Sequence, residues 1–144
     1  MLNKLGALVG GAGDGHFATV LCCHIDVEHH FLTVACAGHF PPLVRDRGDT
    51  RLVEVAIGPP IGVLPRAMPF ETTITVSPGA TVLAFTDGLV ERRGERLDVG
   101  LTRLKEAVTG SDGNVDALLS QLLAELAPEG SDDDIAILGV RWLN

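Results

Sequence analysis

The chain has 144 residues, 46% of them apolar, which suits one domain whose core buries about two thirds of the unfolded surface. Its net charge of -8, from 19 acidic against 11 basic residues with the acids scattered, excludes nucleic acid and anionic membranes as partners, because both demand clustered Lys and Arg. No apolar run reaches membrane-spanning length and no secretion signal opens the chain, so a cytoplasmic protein is expected.

Gly10-Gly11-Ala12-Gly13-Asp14-Gly15 reads as a loop, since no strand precedes it and no Gly-Lys-Ser/Thr ending completes a phosphate loop. Phe17 to Ile25 and His30 to Ala37 alternate as strands joined by the polar turn Asp26 to His29, a hairpin. Cys22 and Cys23 are adjacent in the first of these, so their side chains point to opposite faces. With Cys36 they form no CxxC spacing, which leaves three small core residues rather than a disulfide or zinc framework. Pro42 to Arg45 and Arg51 to Val55 flank Asp46-Arg47-Gly48-Asp49, a second hairpin. Gly58 to Pro65 is a rigid loop. Phe70 to Val76 alternates, with Phe70, Thr72, Ile74 and Val76 on one face and Glu71, Thr73 and Thr75 on the other, as in a half-buried strand. Thr81 to Phe85 is continuously apolar, the pattern of a strand buried on both faces. Leu101, Leu104, Ala107 and Val108 have helical spacing, and Val115, Leu118, Leu119, Leu122, Leu123 and Leu126 make a broad apolar stripe on a second helix. Gly110 to Asn114 separates the two, Pro128-Glu129-Gly130 ends the second, and Asp134 to Leu143 closes the chain as a strand. Hairpins followed by helices indicate an α+β layered domain rather than βαβ repeats.

Two acidic turns carry the chemistry, each bordering an apolar strand. One is Thr86-Asp87-Gly88-Leu89-Val90-Glu91 after Thr81 to Phe85, and the other is Asp132-Asp133-Asp134 before Ile135 to Leu138. A carboxylate at the mouth of a buried strand must be hydrated, hydrogen-bonded or bound to a cation. Gly88, with no Cβ, lets backbone and ligand approach closely, and oxygen-only donors suit hard ions such as Mg²⁺ or Mn²⁺. An Asp-Gly after a strand is equally the chemistry of a simple turn.

The landmarks follow one another in a telling order. Phe17 to Leu21 leads to Ala35-Cys36-Ala37-Gly38-His39-Phe40-Pro41-Pro42-Leu43-Val44, then Gly58-Pro59-Pro60-Ile61-Gly62-Val63-Leu64-Pro65, then the Asp87 turn, then Asp133-Asp134-Ile135. This succession resembles the SpoIIE-like branch of the PPM family, the bacterial metal-dependent serine/threonine phosphatases of partner-switching control. The resemblance implies an αββα sandwich of antiparallel sheets with flanking helices, of which residues 1–144 form the C-terminal part of a single domain. Family members carry two further acidic turns upstream, Gly-Asp-x-x-Asp and Asp-x-x-Gly-His-Gly, so an N-terminally truncated domain is expected. Gly13-Asp14-Gly15-His16 lies on the wrong side of Leu2 to Val9 to replace the second.

By resemblance, Asp87, Gly88 and Asp133 belong to a site for two Mn²⁺ or Mg²⁺ ions. Asp134 would bond the turn or reach an ion through water, with Asp132 solvated. His39 would either support catalysis or hold its loop. Cys36 and Phe40 stand where relatives commonly have Asn. Arg92, Arg93 and Arg96 follow the Asp87 turn, where guanidinium groups receive a phosphate or an acidic partner surface, or remain solvated loop charges. The implied substrate is a phosphorylated anti-sigma-factor antagonist. The alternative is a truncated, non-catalytic interaction module of the same fold, and an uncovered sheet edge would favour a homodimer.

Overall fold

The structure is a computed structural model that describes residues 17–63, 70–111, 114–127 and 133–143. The glycine-rich segment 10–15, the segment from Leu2 to Val9, His16, Asp132 and the Pro128 break lie outside the described residues. Two compact units form, Met1–Pro41 with Val53–Val76, and Pro42–Leu52 with Ser77–Asn144.

In the first unit β1 (Val20–Asp26) and β2 (Phe31–Ala37) pair antiparallel along their whole length, from Val20 opposite Ala37 to Asp26 opposite Phe31. The Asp26 carboxylate closes the turn between them by accepting the His29 N–H at 3.0 Å, and that bond, aided by the His29 ring, holds its carboxyl below the usual range. β5 (Ile57–Gly58) and β6 (Glu71–Thr75) occupy the other side of β2, β6 antiparallel and β5 parallel. The sheet is therefore mixed where antiparallel sheets were expected, through the short β2–β5 pair and a parallel bridge between Val20 and Gly38. β2 is the centre, and Leu32, Val34 and Cys36 have no solvent exposure. Thr72 and Ile74 are half-buried and Val76 buried, as the alternation predicts. Phe70 departs from it: the residue precedes β6 and remains 60% exposed. Of the three cysteines expected in the core only Cys36 is buried; Cys22 is half-buried, and Cys23 is exposed although it shares a face with Val34 and Cys36, because it stands on β1 rather than on the central β2.

The second unit has the strand order β4-β3-β7-β8. β3 (Leu43–Asp46) and β4 (Asp49–Leu52) are joined by Arg47 and Gly48, both at positive φ (51° and 82°), the backbone demanded by a two-residue hairpin turn. β7 (Thr81–Phe85) lies between β3 and β8 (Ile137–Arg141), and four of its five residues are buried, which explains its unbroken apolar sequence. β8 is shorter than the stretch from Asp134 to Leu143 because the residues before Ile137 turn against the Asp87 segment.

Two helices complete this unit, α1 (Leu97–Thr109) and α2 (Val115–Leu126). α1 buries Gly100, Leu104 and Val108, while Leu101 and Ala107 are only half-buried, so the packing row contains a glycine that apolar periodicity does not reveal. Asn114 caps α2 by accepting the Ala117 N–H at 2.8 Å. Its buried row is Leu118, Leu122 and Leu126; Leu123 is 40% exposed, so the stripe is narrower than the sequence suggests. At the C-terminal end of α1, the Arg45 guanidinium donates to the carbonyls of Val108 and Ser111 and so adds strong donors to acceptors at the helix end.

Candidate metal-binding turns

The two acidic turns meet in the second unit, and backbone register is the cause. β7 and β8 pair as far as Phe85 opposite Ile137, and one further bond, Thr86 N–H to Ala136 O at 3.0 Å, brings the chain ends past the strands together. The Thr86 hydroxyl donates to Asp134 O at 3.0 Å and accepts the Ala136 N–H at 2.9 Å. Asp87 then opens a single 3-10 turn, Asp87–Leu89, whose carbonyl accepts the Val90 and Glu91 N–H groups at 2.8 Å each. Leu89 and Val90 are buried and anchor this turn, while Asp87 itself remains exposed.

Gly88 is required by this closeness. A Cβ there would stand 2.7 Å from Asp134 O, so any side chain would push the two turns apart. The Asp87 Oδ1 accepts its neighbour's Gly88 N–H at 3.0 Å, and the Asp133 Oδ1 accepts the Asp134 N–H at 2.8 Å. These bonds fix each carboxylate against its own backbone. Asp133 and Asp134 are also exposed, and Asp134 joins the Asp87 turn through its backbone carbonyl.

The donor set fits a hard divalent ion in chemistry, being oxygen throughout, with a Cβ-free residue beside the carboxylates. It does not fit one in number. Among the described residues no three His, Cys, Asp or Glu side chains are grouped so as to hold a metal ion, whereas an octahedral ion asks for six donors, several of them waters.

His39 lies in the first unit, on a turn shaped by Gly38. Gly38 has φ 68°, donates to Gly58 O at 2.7 Å, and would place a Cβ 2.6 Å from Pro60 Cγ. The Ala-Gly-His and Gly-Pro-Pro segments are thus two halves of one packed loop. His39 Nδ1–H donates to Phe40 O at 2.8 Å, a bond that holds the loop and directs Nε2 away from it. Arg92 and Arg93 are exposed in the segment after the Asp87 turn, with no ion pair among the described residues. Arg96 is occupied: it makes two 3.0 Å bonds to Asp98, whose carboxyl is held below the usual range mainly by that guanidinium. Thr86 and Gly100 are the residues that sequence reasoning misses here. A threonine immediately before an Asp-Gly turn is the one local signal that could have found the first.

The chain is 24% identical over 129 residues to Protein IcfG from Synechocystis sp. (strain ATCC 27184 / PCC 6803 / Kazusa), a match covering 86% of this chain and 20% of that protein. The RsbU and RsbW domains of a Mycobacterium tuberculosis protein superpose with a TM-score of 0.83 at 24% identity, covering 96% of this chain and 40% of that one. The phosphatase domain of the cell fate determinant SpoIIE from Bacillus subtilis, in a Mn-presoaked structure, gives a TM-score of 0.64 at 15% identity over 85% of this chain and 56% of that one. The chain therefore spans 20% to 56% of the length of these relatives. Its fold is that of the PPM phosphatases. The model of one family, Stage II sporulation protein E (SpoIIE), matches residues 1–143, the whole succession from the Phe17 strand to the Asp133 turn, and the chain belongs to that family.

Proposed function

We propose that this chain is the metal-bearing C-terminal part of a cytoplasmic phosphatase domain that hydrolyses phosphoserine or phosphothreonine on an anti-sigma-factor antagonist. The observation that carries the reading is the union of the Asp87 and Asp133 turns through Thr86 and Gly88 in a chain of the SpoIIE family. The relative that holds an RsbU domain together with an RsbW domain supports a place in a partner switch.

In this reading Asp87 and Asp133 supply anionic oxygens to Mn²⁺ or Mg²⁺, and Gly88 supplies close backbone access. Held there, such ions would supply activation of a water and neutralisation of phosphoryl charge. The chain's own residues bind and orient. Asp134 holds the turn through its backbone, His39 fixes the loop before Pro41, and Arg92 and Arg93 offer charge to a phosphate or an acidic partner surface. No side-chain nucleophile is needed.

The grouping of fewer than three donors among the described residues favours a second reading for the chain taken alone, an interaction module without turnover. Phosphate release from a phosphoserine protein in Mn²⁺ separates the two. The 144-residue chain is expected to show none above background, and the same chain preceded by the family's two upstream acidic turns is expected to be active. Asp87→Asn or Asp133→Asn should then cost at least about a hundredfold, since even partners of metal ligands are worth about ten- to a hundredfold. Full activity in the Asp87→Asn variant would end the phosphatase assignment.

A further inference from the structure

Among the described residues β8 pairs with β7 alone, and the bond pattern shows which of its backbone groups are left over. Ala136 O accepts the Thr86 N–H, while Trp142 donates to Ala80 O and accepts the Gly79 N–H, so the even-numbered residues bond toward β7. Alternation turns the N–H and C=O of Ile137, Gly139 and Arg141 outward along the open edge. Apolar side chains border it, with Leu138 63% and Leu143 82% exposed. α2 packs directly over the strand: a Cβ on Gly139 would meet Val115 Cγ1 at 2.6 Å, and Leu119 Cδ2 and Leu83 Cδ2 at 3.3 Å each. Val115 and Leu119 are only half-buried, and Leu123, next on the same helix row, is exposed. β4, at the opposite end of this sheet, is four residues long and carries the exposed Asp49–Arg51 ion pair, which guards an edge. β8 has no such guard. Charge instead divides along it, with the exposed carboxylates of Asp133 and Asp134 before the strand and exposed Arg141 at its end. Arg141 shares a cleft with Asn114, Val115 and Asp116 at the start of α2, where the helix dipole is positive and Asp116 is the one acid.

We propose that this edge docks a second copy of the chain, β8 pairing antiparallel with its partner's β8 about a two-fold axis at Gly139. An antiparallel edge with an outward residue at its centre is self-complementary, as a closed dimer requires. Gly139 then faces the partner's Gly139 and Ile137 faces the partner's Arg141, each pair exchanging both N–H···O bonds, and Leu138 meets the partner's Val140. The charges select this sense. Antiparallel pairing lays the Asp133–Asp134 segment of one copy along the cleft that holds Arg141 and the α2 N-terminus of the other, whereas parallel pairing sets like charges together. The row Val115, Leu119 and Leu123 meets its own copy, so apolar surface that a lone chain leaves wet becomes covered. The inference is independent of any ion at the acidic turns.

The test is amide hydrogen exchange on the 144-residue chain at low and high concentration, read beside its mass by sedimentation velocity. A dimer is expected to form as concentration rises, with exchange slowing at Ile137, Gly139 and Arg141 and unchanged across β4. Arg141→Glu and Asp134→Arg should each weaken dimerisation at least about tenfold, because each sets like charges together across the interface. An equimolar mixture of the two variants should dimerise as the wild-type chain does, since both contacts of the mixed pair then join opposite charges. That recovery also shows that both variants fold; should either not fold, exchange in the wild-type chain decides alone. A chain that stays monomeric with exchange at these amides unchanged overturns the proposal. So does a dimer protected on β1 or β4 instead, growth past the dimer, or a mixture of folded variants that remains monomeric.

Discussion

Single atoms decide how the acidic turns are built. Replacing Gly88 by Ala sets a methyl carbon 2.7 Å from Asp134 O and 3.2 Å from Ile135 Cγ1. Because the nearer atom is backbone, the turns must separate, and we expect Gly88→Ala to cost about 1–3 kcal/mol in urea unfolding. A loss below a few tenths would show that the two turns move apart freely. At Cys23, partial loss of solvent, with the neighbouring Cys22 and Cys36 adding to it, pushes the thiol from 9.0 to about 11. The folded state thus holds its proton longer than the unfolded chain, so this contribution is complete below pH 9.0 and is lost as pH rises to about 11. Iodoacetamide labelling, located by fragmentation mass spectrometry, should show Cys23 accelerating with a midpoint near 11 in the folded protein and near 9.0 in urea. A folded-state midpoint at 9.0 would mean that the strand does not shield this thiol.

At the scale of elements, α1 depends on a residue far away in sequence. Arg45, on β3, brings a positive charge and donors to the C-terminal end of the helix, where the dipole is negative and the Val108 carbonyl otherwise has a long 3.4 Å bond from the Ser111 N–H. Arg45→Met keeps most of the apolar stem and removes the donors. It should destabilise by about 1–3 kcal/mol, the cost of leaving buried acceptors unpaired, measured by denaturant midpoint at constant m-value. An unchanged midpoint would show that water replaces the guanidinium. The hairpin β3–β4 was legible because Arg47-Gly48 leaves few other backbone choices, whereas the Arg45 cap was not, since no local pattern pairs a strand arginine with residues 108 and 111.

At the scale of the whole chain, sheet edges dominate behaviour. Among the described residues β8 pairs with β7 alone, and Leu138 on it is 63% exposed. An uncovered apolar edge templates further strand pairing. Light scattering on the 144-residue chain should therefore show association that grows with concentration, and Leu138→Lys should reduce it. A monomer at high concentration, unaffected by that change, would mean that the edge is already covered. No helix among the described residues is long and apolar enough to cross a membrane, which agrees with the low apolar run lengths read from sequence.

Local chemistry and periodicity were enough to locate every strand except β5, both hairpins, both helices and the acidic turns, because alternation, helical spacing and Gly turns act over a few neighbours; the two residues of β5 are too few to show a period, and Gly58 reads as loop. The order of motifs was enough for the family. Tertiary structure alone decided that Thr86 joins the turns, that Asp134 contributes its carbonyl, that Phe70 and Leu123 stay in water, and that Gly100 lies on Val90. Each of these depends on which strand ends beside which, and on distances set by backbone packing between residues far apart in the chain. No pattern along the sequence records such distances.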